Sequence, residues 1–225
     1  MQDVIAGFVP AFTPQDANLS PNAFQSYING VETKNDIVSN AESTLSPLTE
    51  ARFTASTGIK DKALRVKDFI GANIVWKKYL NAVTKAADTV RGYVIPKKTA
   101  APVAGAAPVA AKKARQGARS QQGFADLEKL FGKLIAQVGK ITGYTAPANS
   151  GLTKAELEAQ DAAFTTLNDE VSTAEADLAE AQRIRKDFYD GENGLKEKMK
   201  CIKKAVRSQY GINSTQYAAV KGIGL

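Results

Sequence analysis

The chain has 225 residues, 44% apolar and 24% charged, with one tryptophan and one cysteine, which excludes a disordered chain and leaves room for one or two packed domains. It has no histidine, and so lacks the commonest general acid–base, the commonest transition-metal ligand and every Ser–His or Cys–His nucleophile pair. The net charge of +7 is concentrated: residues 89–125 contain no acid, and their Arg91, Lys97, Lys98, Lys112, Lys113, Arg115 and Arg119 account for the whole excess of 30 basic over 23 acidic residues.

Residues 1–18 read as an extended N-terminal arm. Pro10 and Pro14 break helix, while Ile5, Phe8, Val9 and Phe12 need apolar cover from the arm's own bundle or from a neighbouring subunit. Met1-Gln2-Asp3 gives no basic leader, so no signal peptide is expected. No run approaches the roughly 18 apolar residues of a spanning helix. The expected location is the cytoplasm, or outside after export without a recognisable N-terminal signal.

A first helical unit is expected over 19–95. Ser20 caps and Pro21 takes the first helical position, where a missing N–H costs nothing. Phe24, Val31, Val38 and Leu45 then recur every seven residues, followed in phase by Arg52. Pro47 falls inside this series and predicts a kink. A glycine turn at Gly58 and a short helix through Ile70 follow, and Asn73 caps a further helix ending near Tyr93.

Residues 96–122, rich in Ala, Pro and Lys, read as a linker that cannot pack a core. The second unit is expected over 123–225. Its first helix spans Phe124 to Tyr144. Thr153 and Glu156 then form a capping box ahead of Leu157, Phe164, Val171, Leu178 and the in-phase Arg185. After Gly191-Glu192-Asn193-Gly194, Leu195, Met199, Ile202, Val206 and Tyr210 mark a second amphipathic helix. GIKDKALRVKDFI (58–70) matches GLKEKMKCIKKAV (194–206), and the heptad series match as well. The expected fold is therefore all-α: two internally duplicated units, each a long helix, a glycine turn, a short helix and one further helix, in a coiled-coil-like bundle.

Motif chemistry is sparse. Neither G-x-x-x-x-G-K-[ST] nor G-x-G-x-x-G occurs. The acids between Glu156 and Glu180 lack the Glu-x-x-His partner of a di-iron bundle and read as a solvated face. Arg52 and Arg185 continue apolar stripes, as buried pairs or as snorkelling side chains. Cys201 reads as a helix-packing residue, and Asn213-Ser214-Thr215 as turn chemistry. Lys196, Lys200, Lys203, Lys204 and Arg207 share one helix with a single acid, Glu197, a footprint suited to polyanions unless the neighbouring acidic helix neutralises it.

The last third, with its Tyr210-Gly211, Ser214, Tyr217, Val220, Gly222 and Ile223, resembles a group of uncharacterised bacterial proteins of similar length that share a Pro/Ala/Lys-rich middle. The resemblance implies a bacterial source and brings no active-site residue with it.

These features lead to a non-enzymatic structural or interaction protein without catalytic, metal or cofactor residues, assembling with its own copies through Ile5, Phe8, Val9 and Phe12. The alternative is a nucleic-acid-associated or acidic-surface-binding protein that uses the linker cations Lys97, Lys98, Lys112, Lys113, Arg115 and Arg119 and the lysine helix. No small-molecule substrate and no membrane span are expected.

Overall fold

In a computed structural model, the structure describes residues 1–92 and 123–224; the predicted linker over 96–122 lies outside them. Among the described residues all regular structure is helical. The helices are α1 (Gln2–Ala6), α2 (Pro21–Ala72), α3 (Leu80–Val90), α4 (Phe124–Gly139), α5 (Lys154–Asp190), α6 (Leu195–Tyr210) and α7 (Thr215–Lys221). Short 3₁₀ segments cover Ala17–Leu19 and Ile74–Tyr79.

The chain divides into two compact units. Unit 1 holds residues 1–46 with 173–225, and unit 2 holds 47–172. The expected sequential halves, 19–95 and 123–225, are therefore not the compact units. The core clusters explain why. Ile5, Phe12, Phe24 and Val31 from the first part of the chain share one buried cluster with Leu195, Met199, Ile202, Val206 and Val220 from the last. Unit 2 has its own core, in which Ile59, Val66 and Ile70 of α2, Val83 and Val90 of α3 and Phe131 and Leu134 of α4 meet Leu157 and Phe164 of α5.

Among the described residues the long-helix, glycine-turn, short-helix pattern is realised once, at residues 191–194. At the second site, a Cβ on Gly191 would collide with the Asp187 carbonyl, and one on Gly194 would lie 2.9 Å from the Tyr189 carbonyl oxygen. Both positions demand glycine, and α5 stops there. At Gly58 a Cβ would meet only the Gln160 amide at an ordinary 3.6 Å. A single glycine costs a helix about 1 kcal/mol, and the buried Ile59 and Ala63 that follow it hold the segment in place. α2 therefore runs unbroken through Gly58, and through Pro47 as well. The expected turn at Gly58 is absent.

The arm also departs from its extended reading, because Gln2–Ala6 is helical. Both expected prolines lie beyond that turn, so nothing prevents it. At the other end Ser214 accepts from the Tyr217 N–H and starts α7, where turn chemistry alone was expected. Asn73 does cap, accepting from the Val75 N–H at 2.9 Å, but it opens a 3₁₀ segment, with α3 following from Leu80.

Candidate interaction surfaces

In unit 1 the arm is strapped to α6 and α7. The Gln209 side-chain amide satisfies the arm backbone on both sides, accepting from the Thr13 N–H at 3.0 Å and donating to the Ala11 carbonyl at 2.9 Å. A primary amide presents an N–H donor beside a C=O acceptor, as a peptide group does, so the Gln209 side chain pairs with the arm backbone as a neighbouring strand would. The Tyr210 hydroxyl donates to the Pro10 carbonyl at 2.7 Å, and the Gln216 amide donates to that of Val9 at 3.1 Å. Phe8 meets the Tyr210 ring edge-to-face at 5.5 Å, and burial raises the Tyr210 phenol above its ordinary pKa. Of the four apolar residues predicted to seek cover, Ile5 and Phe12 are buried in the chain's own core, Phe8 is half-buried, and Val9 remains 83% exposed.

The strap joins two uncharged stretches. Val4 to Gln15 has no charged side chain, and neither does Ser208 to Val220. In a chain with 24% charged residues, their union makes an uncharged surface bearing the exposed Val9, Pro10, Ala11 and Ile212. Sequence reasoning flagged the arm but missed the 208–220 partner. Its signal was available: thirteen residues without charge, beginning in the last turn of a lysine-rich helix.

That helix, α6, is less available to a polyanion than its composition suggests. Lys196 pairs with Asp190 at 2.6 Å, and its hydrogen bond pulls the Asp190 carboxyl below the ordinary range. Lys200 pairs with Glu197 at 3.2 Å. Lys203 donates to the carbonyls of Lys221 and Ile223, where a cation favours the C-terminal end of α7. Lys204 and Arg207 are exposed. Cys201 is half-buried with its thiol 3.9 Å from Glu197 Oε1. Lys97, Lys98, Lys112, Lys113, Arg115 and Arg119 lie outside the described residues.

The two in-phase arginines differ. The Arg52 guanidinium lies over the Phe124 ring, 4.3 Å from its centroid, within unit 2. Arg185, in unit 1, lines an open cleft of about 500 Å³ with Lys186, Tyr189, Asp190 and Lys196.

The capping box at the start of α5 forms as its sequence requires. The Thr153 N–H and hydroxyl donate to Glu156 Oε2 at 3.0 and 2.8 Å, and the Glu156 N–H returns to Thr153 Oγ1 at 3.2 Å. These bonds hold the Glu156 carboxyl below the ordinary range. Elsewhere on α5, burial raises the Asp161 carboxyl, with Glu128 adding to the effect. Among the described residues no group of three or more His, Cys, Asp or Glu side chains is arranged to hold a metal ion.

Sequence reading did not single out the tip of unit 2. There Ile74 and Val75 are 88% and 76% exposed, although the next residue, Trp76, is buried.

No family model, no curated protein and no solved structure matches this chain.

Proposed function

We propose that this protein is a non-catalytic helical scaffold that associates with further copies of itself through the uncharged surface of unit 1. The observation that carries this reading is the strap. Four hydrogen bonds fix the uncharged part of the arm, residues 4–15, against the uncharged stretch 208–220, leaving Val9 and Ile212 outward at 83% and 66% exposure. Depletion of charge is what distinguishes the centre of a protein–protein interface from the remaining surface. The arm's role shifts accordingly. Ile5 and Phe12 complete the chain's own core, and the outer edge of the arm is what a second copy would meet.

The test is sedimentation velocity over a concentration series, comparing the wild type with Val9→Asp/Ile212→Asp. The wild type should exceed the 24.0 kDa of one chain. The double variant should approach that mass with its far-UV circular dichroism unchanged. A wild type that stays monomeric at high concentration overturns the reading.

The exposed Lys204 and Arg207, together with the basic 96–122 sequence, support a second reading in which the protein binds nucleic-acid phosphates. Affinity would then fall steeply with salt, and neutralising the linker cations would flatten the slope. Absence of binding in low salt ends that reading.

A further inference from the structure

At the end of α2 the chain turns through Asn73 into the 3₁₀ segment Ile74–Tyr79. Trp76 packs inward, its ring centroid 5.6 Å from that of Phe69 and 5.4 Å from that of Tyr144. With the tryptophan fixed inside, Ile74 and Val75 are held out in water. Two adjacent branched aliphatics in that position are costly to hydrate, and the anchored tryptophan prevents the turn from folding them away.

Along the chain, the charges nearest to them on the C-terminal side are basic. Residues 69–87 contain no acid and hold Lys77, Lys78 and Lys85. Residues 129–155 also contain no acid and hold four lysines; this stretch meets the turn where the Tyr144 ring packs on Trp76. Of the acids at the borders, Asp88 pairs with Lys67 at 3.1 Å, Glu156 is held by Thr153 and Glu128 accepts from Asn168, while Asp68 is exposed near the end of α2. Lys77 and Lys78 are exposed beside the aliphatic pair.

We propose that this turn is a membrane-surface contact: Ile74 and Val75 enter the headgroup–acyl boundary of an anionic bilayer, and Lys77 and Lys78 hold lipid phosphates. Two aliphatic side chains fall far short of the roughly 800 Å² per partner that a stable protein interface buries. They do suit a peripheral wedge, for which a little apolar burial and a few cations act together. The contact is superficial, since among the described residues no helix is long and apolar enough to cross a membrane.

The experiment is co-sedimentation of the full chain with phosphatidylcholine vesicles, with and without about a third phosphatidylserine. Binding should require the anionic lipid and weaken with salt. Ile74→Asp/Val75→Asp should lower the partition coefficient about tenfold for each aliphatic lost. Lys77→Glu/Lys78→Glu should lower it about fivefold or more for each lysine. Ile74→Ser/Val75→Ser is the second variant, and the emission of Trp76, the sole tryptophan, reports whether the tip remains folded. Undiminished binding by both Ile74/Val75 variants would mean that the basic linker alone attracts the vesicles, and would overturn the proposal. So would a wild type that ignores anionic vesicles in low salt, or variants that instead lower the mass of the protein without lipid, since the turn would then join copies.

Discussion

The arm offers a perturbation that separates its buried residues from its exposed one. Phe12 is 6% exposed and sits in the unit 1 cluster with Ile202 and Val206. Phe12→Ala removes a buried ring and leaves a cavity, which typically costs about 3–5 kcal/mol. Because Phe12 lies on a strap, which relaxes more readily than a helix, about 3 kcal/mol is expected here. Ile5→Ala should cost about 2–4 kcal/mol by the same argument. Val9→Asp changes a side chain that makes no core contact and should stay within about 0.5 kcal/mol. Urea denaturation followed by far-UV circular dichroism measures all three variants, with the slope checked for constancy so that a midpoint shift reads as stability. If Phe12→Ala and Val9→Asp shifted the midpoint equally, the arm would not be part of the unit 1 core, and the assignment of separate roles to its two sides would fail.

Two further predictions concern titration in unit 2. Asp161 has its folded-state pKa raised by burial and by Glu128, so the folded chain holds that proton more tightly and stability falls as pH rises through the raised value. Asp161→Asn should therefore raise the melting temperature at neutral pH, and this advantage should vanish below the unfolded value near 3.8. Tyr144, pushed up to about 12 chiefly by burial, donates its hydroxyl to the Leu152 carbonyl at 2.7 Å. Its contribution is complete below pH 10 and lost towards 12, so the stability gap between wild type and Tyr144→Phe should be constant up to pH 10 and should narrow above it. A gap indifferent to pH in that range would refute the assignment.

The apolar patterns marked core positions, since Phe24, Val31, Val38, Leu157, Phe164 and Val171 of the heptads and Ile202 and Val206 of the amphipathic helix are all buried. Leu45 and Leu178 are only half-buried. Local signals with one physical solution were also readable, including the Thr153–Glu156 box and the Gly191–Gly194 break. What failed was the step from similar sequence to similar shape. Gly58 and Gly194 stand in matching strings, yet only the second sits where a Cβ would meet backbone, and a lone glycine in a packed helix is tolerated. The grouping of the chain was hidden for a different reason: apolar periodicity shows that a face is covered, not by which distant segment. The Gln209 strap joins residues about two hundred apart, and its polar partners carry no periodicity. The outward turn at Ile74 and Val75 was hidden because the run after the Asn73 cap reads as one continuous helix, and the sequence does not show which of three adjacent apolar residues turns inward.

The interleaved division of the chain bears on its synthesis. Unit 2 is encoded without interruption between residues 47 and 172, whereas unit 1 is split across residues 1–46 and 173–225. As translation proceeds, the arm and the start of α2 leave the ribosome well before the α6 and α7 residues that cover Ile5 and Phe12 exist. Unit 2 has all its own residues available earlier and completes its core first, as contiguous domains do. Unit 1 completes its core later, when its first and last segments come together. A chain truncated after residue 172 would therefore carry the residues of one complete core and an apolar arm without its α6 and α7 cover.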